Sequence, residues 1–578
     1  MKIRNVKDGQ LWEQILKRRE EIKKHNIQSW EMQTFPSHPQ AAVQYLTRDW
    51  ISNVVSKKEL RLQDPHRVLV VCAQTGLGKT SMIFKCCLPV AKELGKKVLF
   101  LSSRSALCKK VKNDAMADEL NCEEYVGNYK VKEFKEYFSE KYLDANIDFG
   151  LIHICSYQKF IRNKNLNLNP NDYAFVILDE YPSLFVDSLY SPLGAETLKK
   201  IICDFRYCRR IYLSATPQEA LEQVYNFECG YGCLENNICN RLTFNHKAFN
   251  IYVMDQDYSY LQPKFYTQNA TLVELIKQRS SENWIVFLRN KSVGNDLKEE
   301  LEAFGLEVEF FTADSEKDTD MYQTLLSEEK LTKNIMLTTR VLDVGINIKK
   351  GTEGKKIFNI CIQEDDPTEM IQMVGRKRVV DGEKLNVFFL TPSLKELKLR
   401  RAMVINRINS AKKQLASVEA GEFIEEISPP LYFDGKALKV NSFFMSKLNI
   451  DLRRYDYLIE RMSECNSREE QNFIYANFIL ENFQGISYDS ESLFIENLDK
   501  ELEKILGECL GEKISPEKFQ VIALQLKDLL GDNRIKSSDN APGIKKVKEL
   551  ISGYGYTVAS SGDPKMYTFS KEEDVNVQ

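Results

Sequence analysis

The sequence predicts an α/β protein: two parallel-sheet units in tandem, then a helical region, then a small C-terminal α+β module. Three observations carry this expectation. Short apolar runs (RVLVVCA, KKVLFLSS, FGLIHICS, YAFVILDE, RRIYLSAT) alternate with helical stretches, and the alternation resumes with NWIVFL, LEVEFFT, NIMLTT, KIFNICI and LNVFFLTP. Runs apolar on both faces, separated by helices, mark strands of a parallel sheet covered on both sides. Beyond residue 393 the strand-like runs stop, and helical periodicity dominates to about residue 530. At 578 residues the chain also exceeds one hydrophobic core, and its length suggests roughly three to four domains.

In chain order, residues 1–62 read as a polar, helical N-terminal region broken at Phe35-Pro36-Ser37-His38-Pro39. Residues 63–255 form the first α/β unit, 256–392 the second, 393–530 the helical region and 531–578 the C-terminal module. That module opens on the polar linker GDNRIKSSDNAPG, continues as a short basic helix and ends in two strand candidates, YTVA and MYTFS. It fits a winged helix, with Lys545, Lys546, Lys548, Lys565, Tyr554, Tyr556 and Tyr567 placed to touch a duplex. It fits equally a small α+β cap or a protein-interaction module.

The composition, 43% apolar and 28% charged, is that of a globular protein. No apolar run approaches the ~18 residues that a membrane span needs. The opening MKIRNVKDGQLWEQ has no apolar signal core, so the expected location is cytoplasmic. The fourteen cysteines are then expected as thiols. Cys229, Cys233 and Cys239, with His246, have spacings that match no tight zinc pattern. The net charge of −3 excludes a polycation, so any affinity for nucleic acid must come from a local basic face. The candidates are Lys17, Arg18, Arg19, Lys23 and Lys24, and the run 395–414, KELKLRRAMVINRINSAKKQ. Either also reads as a solvated helix face.

Chemistry enters at residues 73–80, Ala73-Gln74-Thr75-Gly76-Leu77-Gly78-Lys79-Thr80, with Ser81 behind them. They follow a buried-looking strand and precede a helix, the context of a phosphate-binding loop. Gly76 and Gly78 let backbone N–H groups turn inward around phosphates. Lys79 supplies positive charge, Thr80 a hydroxyl for Mg²⁺, and the helix its positive end. A second strand must then end in carboxylates, and VILDEYP (176–182) supplies them. Asp179 is the candidate for the metal, and Glu180 for positioning and deprotonating water.

The loop, the DE pair and the second α/β unit together resemble superfamily 2 DNA/RNA helicases over about residues 63–392. The resemblance implies two RecA-like domains that hydrolyse ATP with Mg²⁺ in the cleft between them. It implies nucleic-acid contacts at Ser103 and Arg104 (LFLSSR), Ser156 and Gln158 (CSYQKF), Arg289 (IVFLRN) and Thr339 (TTRVLDVGIN). Gly345 and Asn347 fall in the last motif, Asn347 where many relatives carry a ribose-contacting aspartate. SATP (214–217) matches the motif that couples ATP state to the track, and QMVGRKR (372–378) the finger motif. Gln372 is expected at the γ-phosphate, and Arg376 and Arg378 across the cleft. Gln40 and Gln44 are the candidates for adenine recognition.

Two departures matter. Arg378 stands one residue early, since the usual Q-x-x-G-R-x-x-R spacing falls on Val379; the shorter form resembles herpesvirus origin-binding helicases and helicase-like proteins of bacterial mobile elements. Pro182 replaces the histidine or aspartate that ends the D-E-x-H/D box. The implied function is an ATP-dependent helicase or translocase, on DNA in preference to RNA, in replication of or defence against mobile elements. The alternative is a nucleic-acid-stimulated ATPase switch that clamps or remodels without unwinding. The C-terminal third is the candidate surface for a protein partner.

Overall fold

The computed structural model describes most of residues 41–571; outside the description lie 1–40, 104–107, 109–145, 163–167, 231–247, 316–323, 340–346, 531–540, 572–578 and several shorter stretches. The first sheet contains β1 (Ala41–Leu46), β2 (Arg67–Cys72), β3 (Lys97–Ser102), β4 (Asn146–Asp148), β5 (Ile152–Ser156), β6 (Tyr173–Asp179), β7 (Arg209–Ser214) and β8 (Ala248–Met254). Their order is β1-β8-β2-β7-β6-β3-β5-β4, and only β4 runs antiparallel to its neighbour. The second sheet is wholly parallel: β9 (Leu261–Tyr266), β10 (Asn283–Phe287), β11 (Val308–Phe311), β12 (Ile335–Thr338), β13 (Phe358–Ile362) and β14 (Leu385–Leu390), in the order β11-β12-β10-β13-β14-β9. Both central strand sets are buried end to end, as their unbroken apolar runs require.

Three boundaries differ from the sequence reading. Residues 41–62 do not form a separate helical region. Strand β1 pairs with β8, and Glu59 accepts hydrogen bonds from Arg209 (2.9 Å), Asn250 (3.1 Å) and Tyr252 (2.6 Å), so this segment closes the first unit. Strands β1, β8 and β9 escaped the sequence reading because β1 and β9 are edge strands with polar residues interrupting the apolar run, and Asn250 breaks the run of β8. The helical region is not independent either. Helices α6 (Leu394–Glu419), α7 (Ser442–Ser463) and α8 (Arg468–Leu480) pack Leu397, Val404, Phe444, Leu458 and Phe478 into the same core as Phe265 and Phe389 of the second sheet.

The C-terminal module begins before residue 531. Leu502, Leu506, Cys509 and Ile514, with Phe519 and Leu526 of α9 (Pro516–Leu530), share one core with Val547 of α10 (Ile544–Ile551) and Phe569. A short hairpin, β15 (Leu431–Phe433) and β16 (Leu438–Val440), lies between α6 and α7. The final hairpin pairs β17 (Tyr556–Ser561) with β18 (Met566–Lys571), and Ile514 bridges to Tyr567 beside it. Isolated bridges at Leu510 and Ile514, two helices and a hairpin follow in chain order, as a winged helix would have them. However, Tyr556 is a buried core residue, and Tyr567 stacks on Phe519 at 3.9 Å, so these two rings serve packing instead of a duplex. Tyr554 and Lys565 lie outside the described residues. Among the described residues no helix is long and apolar enough to cross a membrane.

One buried network ties β7 to the helix after it, α4 (Gln218–Gly230). The Arg210 guanidinium forms a fork to Glu228 (2.5 and 2.8 Å), and Tyr212 donates to the same carboxylate at 2.7 Å. Arg210 and Glu228 are both fully buried. Removing one charge leaves the other unpaired in the core, so Arg210→Met is expected to cost about 3–5 kcal/mol of first-unit stability. The check is the urea midpoint of the first unfolding transition; a midpoint unchanged from the parent contradicts it.

Candidate nucleotide cleft

Parallel register creates the site. Cys72 at the end of β2 pairs with Ser214 at the end of β7, and Leu213 pairs with Asp179 at the end of β6. Three carboxyl ends therefore meet at one edge of the sheet, where ligands of open α/β sheets bind. The Ala73 N–H donates to the Ser214 carbonyl at 3.0 Å, so the phosphate loop leaves the sheet beside the SAT residues. The loop ends in α1 (Lys79–Met82), which continues through a π turn into Leu88–Glu93. Gly76 (φ +97°) and Gly78 (φ +81°) adopt left-handed backbone, which glycine tolerates without strain. At Gly78 space is limiting as well: a Cβ there would lie 2.4 Å from the Trp50 ring. The Ile51 N–H donates to the Leu77 carbonyl at 3.1 Å. Residues 50–51 thus back the phosphate loop.

Lys79 Nζ donates to the Ala73 carbonyl (3.2 Å) and to Glu180 Oε1 (3.1 Å). Glu180 Oε2 accepts from Ser214 Oγ at 3.2 Å, and Ser214 Oγ accepts from the Thr216 N–H at 3.0 Å. One carboxylate so joins the phosphate loop to the SAT motif. Glu180 is also a non-glycine residue at positive φ (45°), a strained backbone costing about 1–3 kcal/mol that such sites retain only when surroundings hold it. Two phenols do the holding. Tyr157, which opens α2 (Tyr157–Arg162), donates to the Asp179 carbonyl at 3.0 Å. Tyr181 donates to the Pro217 carbonyl at 3.3 Å. Burial first, then neighbouring acidic groups, holds both phenols well above their ordinary pKa, so both remain donors.

Pro182 therefore does not leave the box uncoupled from SATP. The link moves one residue earlier, to Tyr181, and Pro182 instead starts α3 (Ser183–Val186), its carbonyl accepting from Phe185 and Val186. The sequence carried a signal for this, a tyrosine between DE and P, but only the turn geometry aims its hydroxyl at Pro217.

The second unit closes on the loop. Its helix α5 (Pro367–Val374) ends at Gly375, where a Cβ would lie 2.6 Å from Thr75 Oγ1. The glycine of the finger motif thus permits direct approach of the two units. Gln372 Nε2 reaches Thr216 Oγ1 at 3.5 Å, so it meets the SAT motif. Arg376 is buried, with Nε on the Gln372 carbonyl at 3.1 Å. The Arg378 guanidinium faces Gly76, with Nη1 3.9 Å from where a Cβ would stand. Burial, then Arg376 beside it, brings Arg378 down to about 10, still protonated at neutral pH. A cleft of about 460 Å³ opens there, lined by Thr75, Gly76, Tyr260, Arg378 and Arg48.

Several expected roles change. Asn347 is buried and uses both ends of its amide, donating to Glu329 (3.0 Å) and accepting from Arg378 Nε (2.9 Å); it orients Arg378 and has no free end for a ribose. Gln74 faces away from the phosphate loop's interior, pairing with both backbone groups of Asp257 (2.9 and 3.0 Å) in the linker between units. Arg289 is committed to Asp365 (2.7 Å) and Glu364 (3.6 Å), so its guanidinium is not offered to a backbone phosphate. Ser156 is buried and caps α2, its Oγ accepting from Lys159 N at 3.2 Å, while the Ser103 hydroxyl is enclosed. Gln158 is exposed on α2, and Thr339 half-buried after β12. Gln44 is exposed in edge strand β1, and Trp50 and Ile51 are upstream residues that touch the loop. Arg104, Gly345, Gln40, Cys233, Cys239 and His246 lie outside the described residues.

For a divalent cation, the Thr80 hydroxyl and the Asp179 carboxylate are hard oxygen donors at adjacent ends of α1 and β6. One hydroxyl and one carboxylate suit a cation that brings its remaining ligands on phosphates and water, as Mg²⁺ does. The described residues hold no cluster of three or more His, Cys, Asp or Glu able to cage a metal alone.

Two outcomes follow from this geometry. Glu180→Gln is expected to lower kcat for ATP about 10²–10⁴-fold, the usual span for loss of a positioned base, while a fluorescent ATP analogue still binds; turnover at the parental rate removes Glu180 from that role. Tyr181→Phe deletes one hydrogen bond worth about 1 kcal/mol of stability. It is expected to cut nucleic-acid-stimulated ATPase more than the unstimulated rate, and an unchanged ratio in paired assays counts against the coupling.

Residues 37–219 match the family model described as ResIII, Type III restriction enzyme, res subunit. Its start before β1 agrees with residues 41–62 being part of the first unit. Among solved structures, S. cerevisiae Dbp5 bound to RNA and ADP BeF3 is 16% identical, covering 58% of this chain and 82% of that chain with a TM-score of 0.40. DEAD-box helicase Mss116 bound to ssRNA and UDP-BeF is 13% identical, covering 92% and 95%, TM-score 0.42. DUF1998 helicase MrfA bound to DNA is 14% identical, covering 60% and 47%, TM-score 0.39. No curated protein matches the chain. The ResIII match thus falls on the first α/β unit, and the phosphate loop joined to Glu180 through Lys79, with Arg378 of the second unit at Gly76, makes the cleft between the units a candidate nucleotide site.

Proposed function

We propose that the chain is an ATP-driven helicase or translocase acting on DNA in preference to RNA, in the cytoplasm, in replication of or defence against mobile elements. The observation that carries the motor reading is the single hydrogen-bonded path Lys79–Glu180–Ser214–Thr216, which Gln372 of the second unit meets at 3.5 Å. The amides of residues 73–80 and Lys79 bind the phosphates. Glu180, held at the end of β6, orients the attacking water and takes its proton. Arg376 and Arg378 neutralise the charge that develops as the γ-phosphoryl group leaves. Thr80 and Asp179 are the residues that would hold Mg²⁺, whose chemistry is to neutralise charge on the β- and γ-phosphate oxygens.

The preference for DNA rests on the short finger motif shared with mobile-element helicases and on the winged-helix chain order at the C-terminus. Lys545 and Lys548 are exposed on α10, the helix that would enter a groove. Lys395, Lys398, Arg407, Lys412 and Lys413 are exposed along α6 and extend the basic surface. Arg400 and Arg401 of the same run do not, being paired with Asp365 and Asp456. The C-terminal third is also where a protein partner would dock.

A second reading, an ATPase switch that clamps without unwinding, is favoured by the direct closure of the two units at Gly375 and Thr75. ATPase assays with single- and double-stranded DNA and RNA, beside strand displacement on tailed duplexes, separate the two. The motor reading expects DNA to stimulate turnover most and tailed duplexes to open. Stimulation without displacement on any tailed substrate selects the switch, and no stimulation by any nucleic acid refutes both.

A further inference from the structure

The interior charges with the largest unexplained arrangement lie away from the cleft, on α7. Lys447 and Arg454 stand two turns apart on this helix, and the Arg454 side chain is almost wholly buried. Each reaches both motor units. In the first unit, Arg454 Nη2 bonds Glu219 Oε1 at 2.7 Å, and Lys447 Nζ lies 3.6 Å from Glu219 Oε2. In the second, Lys447 Nζ bonds Asp366 Oδ2 at 2.5 Å, and Arg454 Nη2 lies 3.2 Å from the same oxygen. Asp451 steadies both cations from their own helix, at 2.7 and 3.0 Å.

The two carboxylates are not arbitrary anchors. Glu219 is in the first turn of α4, two residues after SATP ends. Asp366 is the N-cap of α5, its Oδ1 accepting from the Thr368 N–H at 2.9 Å, and α5 carries Gln372 and leads into Arg376. The N-terminal end of α7 also grips the DEYP side. Asn441 Nδ2 donates to the Ser188 carbonyl at 2.7 Å, and Phe443 packs edge-on against Phe185 of α3, the helix that Pro182 starts.

We propose that α7 is the coupling strut of this enzyme, with Lys447 and Arg454 as positioning residues. They fix the SAT helix relative to the finger helix and so set where Arg376 and Arg378 stand over the phosphate loop. The inference rests on the ATP-driven reading above. Buried ion pairs contribute little net stability against apolar replacements but specify one arrangement. That suits a strut whose task is geometry. Displacements of about 1 Å at a reacting centre can cost on the order of 10²-fold in rate.

The test uses the full chain and the variants Arg454→Met, Arg454→Lys and Glu219→Gln/Arg454→Met, the last removing both charges so that neither is stranded in the core. Steady-state ATPase with and without DNA is read together with small-angle scattering and thermal unfolding. The expected result is a fall in DNA-stimulated kcat of roughly tenfold or more for both Met variants, with KM for ATP within about twofold and partial recovery in Arg454→Lys. The double variant should retain cooperative unfolding, while its radius of gyration rises as the units part. A folded double variant with parental kcat and parental scattering overturns the strut, as does a kcat loss that merely tracks loss of folded protein. A parental chain without ATP turnover refutes the motor reading itself. Scattering then decides the strut alone, with an unchanged radius of gyration in the double variant overturning it.

Discussion

Parallel pairing of β2 with β7 and of β7 with β6 brings three carboxyl ends to one sheet edge, and the catalytic geometry depends on that register. A shift by one residue would send Asp179 to the opposite face of its strand and part Ser214 from the phosphate loop. The register is protected from both sides. The β-branched interior of the three strands is wholly buried, and the Arg210–Glu228–Tyr212 network fixes β7 to the helix that follows the SAT motif. The same strands therefore supply both the core and the alignment of the reactive groups.

Strain at Glu180 is the local consequence. The carboxylate meets Lys79 from left-handed backbone at a residue with a Cβ, and this persists because Tyr157 anchors the Asp179 carbonyl before the turn and the Tyr181 hydroxyl after it is tied to the Pro217 carbonyl. Coupling is thereby distributed. Where relatives are expected to use one histidine or aspartate at the fourth position of the box, here Tyr181 reaches Pro217, and Pro182 starts a helix that leans on α7. The proline starts the helix on which α7 rests, so an element C-terminal to both α/β units contacts the DEYP side, the helix after SATP and the helix of the finger motif.

Much of this was legible in residues alone. AQTGLGKT and VILDEYP announce a candidate nucleotide site because phosphate cradling and metal binding would demand those residue types at strand ends, and the apolar runs before them announce the strands. SATP and QMVGRKR were legible as motifs, and Gly375 meeting Thr75 gives their spacing a steric reason. Less legible were the strands that border or link the sheets. In edge strands β1 and β9 exposed polar residues break the apolar run, and in β8 it is broken by Asn250, which turns to Glu59. Tyr556 and Tyr567 read as surface aromatics, but Tyr556 is buried in the core and the half-buried Tyr567 stacks on Phe519, because hairpin register decides which face each ring takes.

The sequence by itself determined the candidate chemistry. Which atoms are proposed to bind phosphate, supply a base and neutralise charge follows from short-range patterns whose meaning does not depend on distant partners. Tertiary structure alone decided what those atoms are attached to. Arg289, Asn347 and Gln74 sit in motifs, yet their side chains are spent on Asp365, on Arg378 and on the interdomain linker. Glu219, Asp366, Lys447 and Arg454 belong to no motif, yet they join three parts of the chain in one buried cluster. Long-range ion pairing leaves no local periodicity, because its partners are separated by up to 235 residues and meet only when the core that carries them has formed.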